Sequence, residues 1–200
     1  MCIRDRSGRY NITAYETSGT PVSAVSNSGQ IRGVQYAGGI VGYNFGRVNG
    51  AYNIGTVSGT NSETVGATTS SVGGIVGRSY DGEFSNCFNA GTVGSGLRVG
   101  GFAGQTEGSL GTIITNAANY GNVTGESYAG GFVGYSESGD FSYIFSIGDV
   151  DITAGSSVRQ GIGGLIGGIK TDTSGTHPEN TDITNGAYSS SIANYQDSLT

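Results

Sequence analysis

Gly38-Gly39-Ile40-Val41-Gly42-Tyr43-Asn44-Phe45-Gly46-Arg47-Val48-Asn49-Gly50-Ala51-Tyr52-Asn53-Ile54-Gly55-Thr56-Val57-Ser58-Gly59 is the stretch that decides the fold. A double glycine, two apolar residues and a third glycine open it. Short runs of β-branched and aromatic residues follow, separated by Gly, Asn and Ser. Such runs read as strands and such separators as turns. Three extended pieces are expected here: Gly39–Tyr43, Arg47–Tyr52 and Gly55–Gly59. No segment of the chain carries a sustained 3.6-residue apolar stripe with caps, so helices should be nearly absent.

The opening recurs as Gly73-Gly74-Ile75-Val76-Gly77, Gly100-Gly101-Phe102-Ala103-Gly104, Gly130-Gly131-Phe132-Val133-Gly134 and Gly163-Gly164-Leu165-Ile166-Gly167. Successive starts lie 35, 27, 30 and 33 residues apart. A second block recurs between them: Asn53-Ile54-Gly55-Thr56-Val57, Asn89-Ala90-Gly91-Thr92-Val93, Asn119-Tyr120-Gly121-Asn122-Val123 and the variant Ser146-Ile147-Gly148-Asp149-Val150. An earlier copy, Asn27-Ser28-Gly29-Gln30-Ile31, lacks the double glycine before it. Self-similarity at this period is the signature of a solenoid, propeller or array.

One unit owns too few Ile, Val and Phe side chains to offset the entropy of ordering about 30 residues. Stacking units about 4.8 Å apart pairs each backbone with its neighbours and merges the apolar positions into one core. The fold class is therefore all-β, a parallel β-helix or β-solenoid of about five degenerate Gly-rich repeats. Asn53, Asn89 and Asn119 should form an amide ladder at one corner. Tyr52, Phe88 and Phe145 should form an aromatic file, broken where Ala118 intervenes. Longer connections fall between Gly59 and Ser71 and between Ile152 and Gln160, where loops should leave the wall. Gly186-Ala187-Tyr188 echoes Gly50-Ala51-Tyr52 and would continue the array.

Composition narrows the function. Gly supplies 39 of 200 residues, with only 2 Pro and no period of three, which excludes collagen. The net charge of −6 gives no basic footprint for nucleic acid. No apolar run approaches the roughly 18 residues of a spanning helix. Met1-Cys2-Ile3-Arg4-Asp5-Arg6 matches the translation of a sequencing-library adapter, so residues 1–6 are read as an artefact and the repeat region as truncated at its N-terminus. Without Arg4, Arg6 and Asp5, Lys+Arg falls from 9 to 7, Asp+Glu from 15 to 14, and the net charge becomes −7. Residues 7–170 are read as the solenoid and 171–200 as a degraded repeat or loop-rich continuation.

Catalytic, cofactor and metal sites are expected to be none. Cys2, Cys87 and the lone His177 cannot build a zinc site, and Cys87 reads as a small buried residue. Asp149 and Asp151, two apart in a strand, should share one solvated face. Asp81, Glu83 and Asp140 are the other local acidic positions. Arg32, Arg47, Arg78, Arg98 and Arg159 occupy different places in different repeats. A Thr file for ice binding breaks, because Thr56 and Thr92 give way to Asn122 and Asp149. One His leaves no triad, and no Gly-x-Gly sits in a strand–turn–helix unit.

The pattern Gly-Gly-Ile-Val-Gly-Tyr-Asn-x-Gly-x-Val, then Tyr-Asn-x-Gly-x-Val-x-Gly, resembles the GLUG-type repeat. Residues 38–59 and 73–94 fit it best, 100–125 and 130–150 with changes, and 163–167 in the opening strand alone. The resemblance implies a non-catalytic segment of a bacterial protein that is extracellular or on the cell surface, acting as an adhesive or a spacer. It brings no cofactor. Its partners would be a host, matrix or glycan ligand and the rest of the parent polypeptide, with no nucleic acid. Two other readings stand beside it: the accessory region of a secreted metallopeptidase, and a carbohydrate-active β-helix enzyme. The last predicts carboxylates and an Arg converging in a groove on one wall.

Overall fold

The computed structural model describes residues 13–14, 22–23, 25–59, 70–153, 161–170 and 181–189. Residues 1–6, Arg159, His177 and most of the two expected loops lie outside them. Among the described residues every element is a strand, and every strand pair is parallel. The chain winds through four sheets in turn, so the architecture is the expected parallel β-solenoid.

The first sheet stacks Tyr36–Gly38, Ser71–Gly73, Arg98–Gly100, Tyr128–Gly130 and Gly161–Gly163. The second stacks Thr13–Ala14, Val41–Asn44, Val76–Tyr80, Ala103–Glu107, Val133–Ser136 and Ile166–Ile169. The third contains Arg47–Asn49 and Tyr52–Asn53, then Glu83–Asn89, Thr112–Asn119, Gly139–Ser146 and Thr181–Tyr188. The fourth stacks Ile31–Gly33, Val57–Gly59, Val93–Gly94, Val123–Gly125 and Val150–Ile152. The aligned repeat positions become paired positions: Gly38, Gly73, Gly100, Gly130 and Gly163 are consecutive partners across the first sheet.

Each unit therefore holds more strands than the three expected pieces. A strand precedes the double glycine, at Tyr36–Gly38 in the first full coil. The piece expected over Arg47–Tyr52 divides in the first coil at Gly50, whose φ is 68°. The same corner recurs in later coils as Asn86 (55°), Asn116 (53°), Tyr143 (52°) and Asn185 (55°), all left-handed. Asn tolerates that region because its short polar side chain bonds locally. Asn116 Nδ2 donates to Asn86 Oδ1 at 2.7 Å, and Asn86 Nδ2 to Asn49 Oδ1 at 2.8 Å, an outer amide file.

The interior has two apolar lobes. Ile40, Val41, Val48, Ile75, Phe84, Phe102, Phe132 and Phe141 fill one, between the second and third sheets. Val57, Val72, Val93, Val99, Val123 and Val150 fill the other, between the first and fourth. Between the lobes runs the Asn file. Asn27 Nδ2 donates to Asn53 Oδ1 at 2.7 Å, Asn53 to Asn89 at 2.7 Å, and Asn89 to Asn119 at 2.8 Å. Each Nδ2 also donates to the carbonyl two residues on, whose own N–H donates back to Oδ1, as Gly91 does at 3.1 Å. A buried amide satisfied in this way carries no desolvation penalty for an orphaned group. These amides reach across the coil onto the second glycine of the opening. A Cβ on Gly39 would stand 2.6 Å from Asn53 Cγ, so the glycine and the asparagine require each other.

Two expectations need correction. The aromatic file is not broken at Ala118. Tyr52 and Phe88 stack at 5.3 Å, and Tyr120, two residues beyond Ala118, fills the gap with centroids 6.1 Å from Phe88 and 5.3 Å from Phe145. An outward ring two positions along a strand lies on the same face and within reach of a diagonal neighbour. The echo at Gly186-Ala187-Tyr188 is shifted by one residue. Ala187 pairs with Phe145, which makes it the counterpart of Tyr52, and Tyr188 pairs with Ser146 in the Asn file. There its ring lies over Gly164, as Asn53 lies over Gly39.

Candidate functional site

The first glycine of each opening turns the chain so sharply that a Cβ on Gly38 would strike the Val41 carbonyl of its own turn, and it would stand 2.7 Å from the Gly77 amide nitrogen of the next coil. The first and second sheets therefore lie back to back through glycine, and the residues just outside that contact become neighbours. From the first sheet these are Tyr36, Ser71, Arg98 and Tyr128, consecutive partners. From the second they are Tyr43, Arg78, Gln105 and Tyr135, also consecutive. A third file continues the second sheet: Phe45, Tyr80, Glu107, Glu137 and Lys170.

On this wall two aromatic groups flank a polar centre. Tyr36 and Tyr43 have centroids 5.3 Å apart, Tyr43 and Phe45 4.4 Å, and Phe45 and Tyr80 5.7 Å. At the other end Tyr128 and Tyr135 lie 4.8 Å apart. Arg78 is held between the ends. It donates to Glu107 Oε2 at 2.6 Å and to the Tyr36 hydroxyl, and its guanidinium lies 5.2 Å from the Tyr36 centroid. Arg98 lies 4.6 Å over the Tyr135 ring and donates to Gln105 Oε1 at 2.6 Å. Gln105 Nε2 donates to Glu137 Oε1 at 2.7 Å and Glu107 Oε2 at 3.2 Å, and Lys170 pairs with Glu137 at 3.1 Å.

Electrostatics follow from this packing. Burial opposes the Arg78 cation, but the hydrogen bond and charge of Glu107 and the Tyr36 hydroxyl outweigh it, so the guanidinium sits above its usual range. Burial pushes the hydroxyls of Tyr43 and Tyr135 up. It also pushes up the thiol of Cys87, which is 1% exposed inside the larger lobe, as a small core residue would be.

The expected candidates separate in space. Arg47 pairs with Glu83 at 2.8 Å on the third sheet. Asp81 accepts the amides of Leu110 and Gly111, closing a loop. Asp149 and Asp151 flank the buried Val150 in the fourth sheet, and Asp140 is exposed. Arg78 and Arg98, which look scattered when repeats are compared position by position, come to one wall. Glu107 and Glu137 join them there unforeseen. The two carboxylates share one file and one hydrogen-bonded network, each beside its own cation, rather than facing one another across a cleft as acid–base hydrolysis requires. A cavity of 200 Å³ adjoins the wall at its first coil, lined by Gln30, Arg32, Tyr36 and Ile40. Among the described residues no group of three or more His, Cys, Asp or Glu could hold a metal ion, and no helix is long and apolar enough to cross a membrane.

Comparison with known proteins returns the family model of the GLUG motif over residues 68–94. A solved structure from Bacteroides ovatus, named as a "putative immunoglobulin A1 protease", superposes with a TM-score of 0.60 and 21% identity. The match covers 84% of this chain and 49% of that one, so the chain spans about half its length. No curated protein matches the sequence. At this identity the likeness is one of fold. The chain is a parallel β-solenoid that carries a GLUG motif, the repeat its double-glycine pattern resembles.

Proposed function

We propose that this chain is a non-catalytic repeat segment of a bacterial secreted or cell-surface protein. The solenoid acts as a stiff spacer and turns one wall toward an extracellular ligand. The observation that carries this reading is the unbroken stacking of the coils. Backbone pairing links every described coil to the next, and the Asn file adds side-chain bonds from Asn27 to Asn119, so bending the rod would break many bonds at once. The test is location. Antibody raised against the 200-residue chain should label intact cells of the source bacterium, and external protease should remove the label. Label found only after lysis would overturn the reading.

A second reading is the accessory region of a secreted metallopeptidase whose catalytic domain lies elsewhere in the parent polypeptide. It is favoured by the superposition over 84% of this chain on a protein named as a protease. The parent reading frame separates the two, since a His-Glu-x-x-His helix within it would decide for the peptidase.

A further inference from the structure

We propose that the wall formed by Tyr36, Tyr43, Arg78, Arg98, Tyr128 and Tyr135 binds a linear, neutral glycan laid along the solenoid axis. This rests on the reading that the segment meets an extracellular ligand, and it names that ligand's chemistry. Sugar rings present C–H faces that stack on aromatic rings and hydroxyls that need planar donors and acceptors. The wall offers both, in order. The Tyr36–Tyr43 and Tyr128–Tyr135 pairs, all half-buried, stand three coils apart, or about 14 Å at the usual strand spacing. Between them lie the guanidinium and amide groups of Arg78, Arg98 and Gln105 and the carboxylate of Glu107, with the Glu137 carboxylate level with the Tyr128–Tyr135 pair.

The polar groups are already held in place by one another, so little side-chain freedom is lost when a ligand arrives. Arg78 is balanced by Glu107 and Lys170 by Glu137, and Arg98, the third cation of the wall, is engaged by the Tyr135 ring and Gln105 Oε1, so no large surplus of either sign faces the ligand, which suits an uncharged polymer. Single-stranded nucleic acid also stacks on aromatic rings, but it requires a positive groove, and this chain carries −6. A protein partner would be met by an apolar centre with a polar rim. Here there is no apolar centre: a charged and amide network runs between and beside two separate groups of rings.

The test titrates the 200-residue chain with cellohexaose, chitohexaose and mannohexaose, following tyrosine fluorescence, which no Trp obscures, and heat of binding. At least one hexasaccharide should bind and should do so about tenfold more tightly than its disaccharide, which cannot span both pairs. The variant Y43A/Y135A should lose binding by about tenfold or more. The variant Tyr120→Ala, just past the third-sheet strand Thr112–Asn119 and away from the wall, should bind as the parent chain does. If the double variant does not fold, nitration of the unaltered chain decides instead: the hexasaccharide should protect Tyr36, Tyr43, Tyr128 and Tyr135 and leave Tyr120 reactive. Absence of binding to all three sugars overturns the proposal, as does undiminished binding by a folded double variant or protection at Tyr120 alone. A chain that binds no glycan leaves the surface-spacer reading intact, because that reading is decided by location on the cell.

Discussion

The Asn89 amide occupies the space where a side chain on Gly74 would begin: a Cβ there would stand 2.5 Å from Asn89 Nδ2 and would also strike the carbonyl of Gly101. Neither obstacle can move, since one is a fully bonded amide and the other is backbone of the next coil. Gly74→Ala should therefore cost about 3 kcal/mol, at the upper end for overpacking, in urea unfolding. Gly94→Ala is the control. Its nearest neighbour would be 3.6 Å away, so it should leave stability unchanged or raise it by about 0.5 kcal/mol.

Removing the amide itself should be as damaging. Asn89→Ala strips partners from the Gly91 N–H and C=O, from Asn53 Nδ2 and from Asn119 Oδ1, all buried. Asn53 Nδ2 and Asn119 Oδ1 keep their bonds to Gly55 and Gly121 but lose one partner each, and with about 1–3 kcal/mol for a buried group left unbonded the loss should be about 3 kcal/mol. Asn89→Asp offers a further check. A carboxylate there faces the Gly91 carbonyl and Asn119 Oδ1, so the folded state should favour the protonated acid. Stability of that variant should then fall as pH rises from 4 to 7, whereas the parent chain should show no comparable drop.

Tyr143 is out of place. It occupies the left-handed corner at φ 52°, where Gly50, Asn86, Asn116 and Asn185 stand in other coils, and it is 62% exposed. Tyr143→Asn relieves the strain of a bulky residue in that region and adds an amide beside Asn116. A gain of about 1 kcal/mol is expected in thermal or urea unfolding. A loss would mean that the Tyr143 ring is held by something outside its own coil.

Cys87 should make the fold sensitive to alkali. Burial raises its pKa above the ordinary 9.0. From the unfolded value upward, the folded chain keeps a proton that the unfolded chain has lost, so stability falls as pH rises past about 9. Between pH 8 and 10 the parent chain should lose stability more steeply than Cys87→Ala. A thiol reagent should label Cys87 only on unfolding.

The repeat made the stacking legible. Positions aligned in the sequence, such as Gly38 with Gly73 and Asn53 with Asn89, are the partners found across the sheets. Its failures were local. Tyr36–Gly38 gives no strand signal in the sequence because three residues carry no period of their own. Tyr120 is invisible to an alignment of repeats because it stands two residues from the position of Tyr52, Phe88 and Phe145, yet its ring fills the gap in their file. The wall was hidden for a related reason. Its residues differ in type from repeat to repeat and come from two files that only the glycine turn brings together. A signal does exist: in the first four copies the residue after the third glycine is Tyr43, Arg78, Gln105 and Tyr135, long and polar or aromatic, and only the fifth has Gly168 there.

The inner amide file also has a sense. In each coil the backbone N–H and C=O of the following glycine leave the asparagine amide a single orientation, with Nδ2 turned toward the next coil. Asn27, Asn53, Asn89 and Asn119 all donate in the same direction, and Ser146 receives the last bond. Their dipoles add head to tail, so the rod is a vector. A coil inserted by duplication must point the same way to be accepted, and a length of such a rod always distinguishes its beginning from its end.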